Sequence, residues 1–287
     1  MRRSSTIQGF VILFLFCIAI VVWLAVLSES RGKALTVSFL DVGQGDAIFI
    51  DTPSGRQVLI DGGGGRTVLR QLGSEMPWYD RSLDLVVATH PDEDHIGGLI
   101  DVLERYEVSH FLQSSVEGDT PTFDALQKTV LFKQKDGMDV ITAARGQIID
   151  LGQGAYLEIL FPDRPIPDVE TNIGCIVSRL VYGDTSFMLP CDAPARIEEY
   201  VVYLDGPRLQ SNVLKAAHHG SKTSSSISFV GFVNPEYAVY SRGCDNSYGH
   251  PHQETIATYA QFDIPTMDTC EEGTITFVSD GMTVTLK

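Results

Sequence analysis

The sequence predicts one α/β domain of two mainly antiparallel or mixed sheets with helices outside, preceded by one transmembrane helix. Strand-like apolar runs outnumber helical runs, and neighbouring runs are often joined by tight turns, which together predict the domain. An uncharged apolar run near the N-terminus predicts the transmembrane helix. With 287 residues, 44% of them hydrophobic, the chain is long enough for a large core and has a globular composition.

The N-terminal run covers residues 7–27, "IQGFVILFLFCIAIVVWLAVL". At about 1.5 Å per residue it crosses a bilayer core of roughly 30 Å. Arg2 and Arg3 precede it, so the N-terminus is expected in the cytoplasm and the remainder outside. A cleaved signal peptide is the alternative, but its apolar core usually has about 7–15 residues. We expect a cytoplasmic N-terminus and anchor over residues 1–27, a linker over 28–33 and the folded domain over 34–287.

The first half of the domain opens with the strand "LTVSFL" and a hairpin over residues 47–60, whose turn is "TPSG". The buried strand "LDLVVAT" then precedes a helix over 96–105. The strand "VSHFLQ" and a helix over 120–135 follow. The pattern is therefore strand-rich from the start, with helices interspersed.

The second half repeats this mixture. Three strands, "AYLEILFP", "CIVSRLVYG" and "TSFMLP", precede a helix over residues 194–204 that a proline opens. "VLKAA" predicts another strand, and helices are expected over 224–233 and 251–262. "TITFVSDGMTVTL" predicts a closing hairpin around Asp280 and Gly281.

The formal net charge of −16 argues against capture of nucleic acid by a broad basic face. It does not exclude a nucleic acid held by a local basic strip. Of five cysteines, Cys17 lies in the apolar run, and no CxxC spacing occurs. We expect the other four to be buried free thiols, although an extracytoplasmic domain permits disulfides. They are Cys175, Cys191, Cys244 and Cys270.

Six of the seven histidines form three pairs beside glycine or proline, at predicted ends of strands or helices. The pair His90 and His95 belongs to "ATHPDEDHIGG", where three acids crowd between them directly after a buried strand. Burying several carboxylates is costly unless a cation neutralises them. Imidazole and carboxylate together suit zinc, manganese or iron. The stretch therefore predicts a metal site, with a solvated acidic loop as the alternative.

Six motifs occur in order: "LDVGQGDAIFI", "VLIDGGG", "THPDEDHIGGL", "YGDTSFMLPCDA", "LKAAHHGSKTSSS" and "YGHPH". Together they resemble the metallo-β-lactamase fold, and specifically the hydrolase domain of ComEC-type competence proteins of the bacterial DNA-uptake channel. The likeness covers residues 34–287 and implies an αββα sandwich. The channel-forming helices of ComEC are missing, so we expect a free-standing hydrolase domain on one anchor.

The resemblance implies two divalent ions, zinc or manganese. Asp192 is expected to bridge them, although Cys191 replaces the usual glycine before it. One of His218 and His219 should complete the second metal, with His218 preferred. The implied ligands are His90, Asp92, Asp94, His95, Asp192 and His218. Asp61 is expected to brace the metal loop, and Asn172 occupies the stretch in which many relatives supply another histidine to the first metal.

Further roles follow from the same resemblance. Asp94 is expected to orient the nucleophile, His219 to contact phosphate, and His250 to act as general acid or phosphate ligand. For His250, a role in ordering the turn before Pro251 is the alternative. Expected substrate contacts lie in the glycine-bounded loop and beside the histidine pair, where a tight turn and a capped helix start are the alternatives. They are Gln44, Asp46, Lys215, Ser221 and Lys222.

The implied function is an extracytoplasmic, metal-dependent phosphodiesterase or nuclease acting on DNA, with a link to DNA uptake. One alternative is hydrolysis of a small phosphodiester, ester or lactone. Another is an inactive module that binds nucleic acid or wall polymer, which the intact ligand set disfavours. The expected partners are DNA or another phosphodiester, the membrane and the competence machinery, while the oligomeric state stays open.

Overall fold

The computed structural model describes the backbone of residues 2–30, 34–166 and 168–287, and the side chains of 9–23, 34–166 and 168–287. The chain divides into two compact units, residues 1–34 and 35–287. The first contains helix α1, Arg2–Ser30, which ends inside the predicted linker. Residues 31–33 of that linker lie outside the described residues. Among the described residues, no helix has the length and apolarity needed to cross a membrane, and the anchor stays a prediction.

The second unit contains two mixed sheets, as the strand-rich pattern predicts. Its described strands are β1 Leu35–Phe39, β2 Ile48–Asp51, β3 Gln57–Ile60, β4 Ser82–Ala88, β5 Glu107–Gln113, β6 Asp139–Thr142, β7 Ile148–Gly152, β8 Ala155–Phe161, β9 Val177–Tyr182, β10 Thr185–Leu189, β11 Val213–Lys215, β12 Tyr237–Tyr240, β13 Thr266–Asp268, β14 Ile275–Ser279 and β15 Val284–Leu286. Its described helices are α2 Thr67–Glu75, α3 Glu93–Arg105, α4 Pro121–Lys135, α5 Ala195–Asp205, α6 Ile227–Val233, α7 Gln253–Gln261 and α8 Thr269–Glu272.

Each sheet has an antiparallel part and a parallel part. The eight-stranded sheet has the order β15-β14-β1-β2-β3-β4-β5-β6, and its strands from β3 to β6 are parallel. The seven-stranded sheet has the order β13-β12-β11-β10-β9-β8-β7, with β10 to β13 parallel. Parallel strands end at one edge of their sheet, and ligands in such folds bind outside the carboxyl ends.

The main core lies between the sheets, where inward side chains of both sheets pack together. Phe277 makes edge-to-face ring contacts with Phe39 and Phe187, at centroid distances of 6.1 and 6.3 Å. A second apolar cluster joins α2, α3 and α4 to the outer face of the first sheet, and a third joins α5, α6 and α7 to the second. The domain is therefore a four-layer sandwich with helices outside and sheets inside.

Several predicted elements are confirmed with shifted ends. The hairpin over 47–60 is the antiparallel pair β2–β3. Helix α3 begins at Glu93, before the predicted residue 96, because its first turn contains acids that the helix dipole favours. Helix α6 begins at Ile227, after the predicted 224, because Ser226 is extended and caps it by accepting from the Phe229 N–H. Helix α2 was not predicted, and no side chain caps its start.

The prediction of four buried free thiols is half wrong. Cys244 and Cys270 form a disulfide that joins the loop after β12 to helix α8. Cys175 and Cys191 are free and buried, as expected. The two bonded residues lie 26 positions apart in sequence, so only the parallel pairing of β12 with β13 brings them together.

Candidate metal centre

The candidate site lies at the carboxyl ends of parallel strands from both sheets. Asp61 follows β3 and His90 follows β4, while Asp192 follows β10 shortly after its last residue, Leu189. Lys215 ends β11, and Ser241 follows β12. Residues far apart in sequence therefore meet at one opening between the sheets.

Close backbone contact holds the start of α3 against the loop after β3. The Gly62 N–H donates to the His95 carbonyl at 2.7 Å, and the Gly98 N–H donates to the Gly63 carbonyl at 2.9 Å. A side chain at Gly98 would collide with the Gly62 carbonyl oxygen. Glycines on both segments thus permit an approach that brings Asp61 to His95, where His95 Nδ1 and Asp61 Oδ2 are 2.8 Å apart.

Two buried imidazoles converge on one oxygen of Asp192. Its Oδ2 atom lies 3.3 Å from Nε2 of His95 and 3.3 Å from Nε2 of His219. His219 Nε2 is also 3.3 Å from Asp94 Oδ2, and its Nδ1 is 3.4 Å from Asp46 Oδ1. Asp46, His95, Asp192 and His219 together have ligand atoms within 4.8 Å of one another and form a candidate metal cluster.

His90 lies beside this cluster. Its ring centroid is 4.1 Å from that of His95, and its Nε2 atom is 3.5 Å from Asp92 Oδ2. On the other side of the ring, Nδ1 lies 3.2 Å from Cys191 Sγ. His90, His95 and Cys191 form the other described group whose donor atoms are close enough for a metal.

The three innermost histidines share one orientation. In each, Nδ1 contacts a neighbouring protein group and Nε2 faces a carboxylate. Nδ1 of His95 contacts Asp61, and Nδ1–H of His219 donates to the Ser241 carbonyl at 2.8 Å. Metal-binding histidines usually donate their second ring N–H to the protein in this way, which fixes the tautomer and the ring. The arrangement therefore leaves the Nε2 atoms available as ligands.

Lys215 is a buried cation inside the acidic cluster. Its Nζ atom lies 2.5 Å from Asp46 Oδ2 and 3.1 Å from Asp192 Oδ1, and its side chain is 1% exposed. Oδ1 of Asp192 thus faces the ammonium, while Oδ2 faces the imidazoles. Oδ2 is therefore the oxygen of Asp192 that would be available to hold a cation together with the imidazoles.

The pKa values follow from this packing. Burial alone would raise the pKa of Asp46, but Lys215 and His219 hold it at about 2. Burial would also raise the pKa of Asp192, and the positive charges of His219 and Lys215 instead lower it well below the usual value. Burial lowers the pKa of His95, yet Asp192 and Asp61 raise it well above the ordinary value. The carboxylates thus favour positive charge at the imidazoles, which a divalent cation can also provide.

Backbone strain concentrates at the same place. Eight non-glycine residues of the described chain have positive φ, and four of them belong to the site. Their φ angles are 58° at Asp61, 56° at Cys191, 51° at His218 and 55° at His219. Such strain costs about 1–3 kcal/mol per residue and clusters at functional sites. The fold therefore sustains an unfavourable local backbone in order to aim these side chains.

The donors fit the divalent ions that the resemblance implies. Among the described residues, the buried atoms without a hydrogen-bond partner include His90 Nε2 and Asp46 Oδ1 of the site. Unpaired buried polar atoms are costly and call for an explanation such as an ion. Imidazole nitrogens and carboxylate oxygens suit zinc, manganese or iron. The ligand roles of the individual residues stay predictions.

Some predicted residues occupy other places than expected. His219 lies inside the candidate cluster, whereas His218 is at its edge, with Nε2 3.8 Å from Asp192 Oδ2 and a side chain 27% exposed. The preferred assignment made His218 the ligand and His219 the phosphate contact, and the observed positions favour the reverse. Asp46 and Lys215, expected to contact substrate, are instead buried in an ion pair with each other. Their positions leave them no open surface for a substrate.

The remaining predicted residues surround the cluster. Gln44 accepts from the Gly243 N–H at 3.3 Å and so joins two loops. Ser221 is buried and contacts Thr223, while Lys222 is exposed beside His252. His250 is 7% exposed, with its ring 5.7 Å from that of His218 and 6.2 Å from that of His219.

Asn172 lies in a 3₁₀ turn after the loop that follows β8, and its Oδ1 atom is buried without a hydrogen-bond partner. Burial would raise the pKa of Asp92, but His90 and a hydrogen bond with the neighbouring Thr171 side chain lower it. The segment therefore lies beside the first predicted metal, and the role of Asn172 stays a prediction.

Neither Thr89 nor Ser241 was predicted from the sequence to belong to the site. The Thr89 hydroxyl donates to Asp61 Oδ2 at 2.6 Å. Its position directly before His90 was the available signal. Ser241 contributes a backbone carbonyl, for which residue type provides no signal.

A family model described as Metallo-beta-lactamase superfamily matches residues 40–243. The chain belongs to the metallo-beta-lactamase superfamily. Among solved structures, a variant of CmlA beta-hydroxylase has a TM-score of 0.54 at 12% identity and covers 84% of this chain and 53% of its own. The metallo hydrolase Igni18 from Ignicoccus hospitalis has a TM-score of 0.52 at 16% identity. The match covers 84% of this chain and 98% of Igni18. At such identities these structures establish the fold alone.

Curated relatives confirm the resemblance to ComEC-type competence proteins. ComE operon protein 3 of Bacillus subtilis is 27% identical over 197 residues, 69% of this chain and 25% of the relative. Competence protein ComA of Neisseria gonorrhoeae is 32% identical over 171 residues, 60% of this chain and 22% of the relative. The chain thus spans about a quarter of the length of these relatives.

Proposed function

We propose that this protein is a metal-dependent phosphodiesterase that cleaves DNA, with single-stranded DNA preferred. The observation that carries the proposal is the convergence of His95, His219 and Asp192 on one point beneath a partly open rim of histidines. The proposed ligands are His90, Asp92, Asp94, His95, Asp192 and His219, with His218 as the alternative to His219. Two bound divalent ions would supply a reactive water near neutral pH and stabilise negative charge in the transition state.

The chain's own residues would position the substrate and the water. The Asp94 side chain is 32% exposed at the mouth of the cluster, so it can accept a hydrogen bond from the attacking water. The His218 side chain is 27% exposed, so its ring can donate a hydrogen bond to a phosphoryl oxygen. Burial and the neighbouring His219 and His218 lower the pKa of His250 to about 4, so its ring is neutral at pH 7. His250 would therefore hydrogen-bond to substrate and not protonate the leaving group.

The rim favours a phosphodiester over a lactone. Lys222 is exposed beside the histidines and can pair with an outer phosphate. Tyr248 is 63% exposed and stacks on His250, with ring centroids 5.5 Å apart and an interplanar angle of 20°. An exposed stacked aromatic ring suits a nucleobase. A neutral lactone would use neither group.

The assay uses the full chain purified in detergent. We expect cleavage of single-stranded DNA and of bis(p-nitrophenyl) phosphate that chelator abolishes and zinc or manganese restores. A small phosphodiester turned over without DNA cleavage would favour the second candidate function. Efficient lactone hydrolysis with no metal-dependent phosphodiester cleavage would contradict the proposal.

Metal content tests the ligand set directly. We expect the wild type to bind close to two divalent ions, and Asp192→Ala to lose affinity for both, because Asp192 Oδ2 lies between the imidazoles. Elemental analysis after dialysis against a weak chelator measures this. Asp184→Ala, which removes an exposed carboxylate of the β9–β10 turn, is the matched control. Full occupancy in Asp192→Ala would remove Asp192 from the ligand set.

We further propose that the domain lies outside the cytoplasmic membrane and acts with the DNA-uptake machinery. Arg2 and Arg3 before the apolar run support this orientation. The Cys244–Cys270 disulfide supports an oxidising compartment, and the competence relatives support the role. Protease added to intact cells should remove the domain. Protection in intact cells but digestion after lysis would contradict the location, and an unchanged transformation frequency in a deletion strain would contradict the role.

A further inference from the structure

Cys191 has an unfavourable backbone for a residue with a side chain. Its φ of 56° lies in the left-handed region, which glycine adopts without steric cost. The residue is only 4% exposed, so its thiol is not a surface group. The Cys191 side chain is nevertheless buried against a candidate metal ligand. We therefore expect it to make a contact that glycine could not make.

The contact is to His90. Cys191 Sγ lies 3.2 Å from His90 Nδ1 and 3.0 Å from Thr89 Oγ1. The Thr89 hydroxyl in turn donates to Asp61 Oδ2 at 2.6 Å. The same carboxylate oxygen lies 2.8 Å from Nδ1 of His95.

The donors and acceptors of this chain of contacts balance. His90 Nδ1–H donates to the sulfur, the S–H donates to Thr89 Oγ1, and the threonine O–H donates to Asp61. His95 Nδ1–H donates to the same carboxylate oxygen. With Nδ1 protonated, His90 presents Nε2 as a lone pair, and that buried atom has no hydrogen-bond partner among the described residues.

We propose that Cys191 is a positioning residue, whose thiol links Asp61 through Thr89 to His90 and fixes His90 Nε2 as a ligand for one divalent ion. The proposal rests on the metal site of the proposed function. Asp61 then orients both histidines, His95 directly and His90 through the relay. Partners of this kind change metal affinity by about 10–100-fold. Thr89 Oγ1 also lies 3.2 Å from His90 Nδ1 and can accept in place of the sulfur, so we expect the lower end of that range.

The test measures zinc affinity of the full chain in detergent by competition with a chromophoric chelator. Cys191→Ala keeps the β-carbon and removes the thiol, so we expect about tenfold weaker binding of one zinc ion and unchanged binding of the other. Cys191→Ser restores a group that both donates and accepts, and should bind within about threefold of wild type. Ser279→Ala is the control, because it removes a buried hydrogen-bonding hydroxyl that contacts Thr185 away from the site.

The outcomes separate this inference from the proposed function. Wild-type affinity for both ions in Cys191→Ala would overturn the relay and leave the metal site intact. Equal weakening in Cys191→Ala and Cys191→Ser would also overturn it, because the sulfur itself and not its hydrogen bonds would then matter, as in a direct ligand. A wild type that binds no zinc or manganese would overturn the proposed function together with the relay.

Discussion

At the scale of single residues, burial changes what Lys215 does. Its position before the histidine pair predicted a substrate contact, but its ammonium is enclosed by Asp46 and Asp192. Burial alone would lower the pKa of Lys215, yet these two carboxylates raise it, so the group stays charged. The lysine thus stabilises two carboxylates before any metal binds and directs one oxygen of Asp192 away from the imidazoles.

Lys215→Met should destabilise the metal-free protein by about 3–5 kcal/mol, because it leaves two buried carboxylates without their cation. Urea unfolding in chelator measures this. Adding Asp46→Asn to Lys215→Met should recover part of the loss, since one of the two charges is removed. An unchanged unfolding free energy in the single variant would mean that the ion pair contributes nothing.

Tyr248 should contribute to DNA affinity by stacking. Base–aromatic stacking contributes about 1–3 kcal/mol per base, so Tyr248→Ala should raise KM for an oligonucleotide about fivefold or more. Tyr248→Phe keeps the ring and should stay near wild type. An abasic oligonucleotide offers no base to stack, so its KM should not respond to either change. An equal rise of KM for the abasic substrate would exclude stacking.

At the scale of elements, a buried acid joins helix α5 to the start of α6. Glu198 is 1% exposed and accepts from the backbone N–H groups of Ser225 and Ser226, at 2.8 and 2.7 Å. Burial raises its pKa to about 7, although these hydrogen bonds act in the opposite direction. The folded protein therefore holds a proton there more tightly than the unfolded chain does.

This pKa predicts the sign of a pH effect. The stability that protonated Glu198 contributes is fully present below about pH 4.5 and is lost as the pH rises through about 7. Glu198→Gln does not titrate, so its stability relative to wild type should improve by about 2–3 kcal/mol between pH 4.5 and 8. Urea unfolding in chelator at each pH measures the difference. The control is Glu104→Gln, which changes an exposed acid of α3 and should show no such trend.

At the scale of the whole molecule, the charge of −16 limits how DNA can bind. With few cations near the site, only one or two phosphates can be neutralised, so the dependence of log affinity on log salt should have a slope of roughly −1. Lys222→Ala should reduce the magnitude of this salt slope by about 0.7. It should also raise KM for DNA more than KM for bis(p-nitrophenyl) phosphate. Lys128→Ala, an exposed lysine of α4, is the control. A slope unaffected by Lys222→Ala would place the phosphate contacts elsewhere.

Local features of the fold and the site could be predicted from sequence. The hairpin β2–β3 depends on a four-residue turn, and the acidic histidine motif spans only six residues at one strand end. Side chains this close in sequence must lie near one another whatever the rest of the chain does. The ordered motifs then identified the family, because each marks the end of a strand or the start of a helix in a shared fold.

Contacts between distant segments could not be predicted in this way. Whether His218 or His219 faces Asp192 depends on the strained turn after β11, and both are histidines with equal chemistry. Lys215 and Asp46 could have faced solvent until the two sheets closed on them, and Cys244 meets Cys270 only through strand pairing. Residue type and local pattern alone thus determined the fold family and the metal-binding chemistry. Tertiary packing decided which side chains are buried, which atoms face each other and which charges compensate, because those properties depend on neighbours far away in sequence.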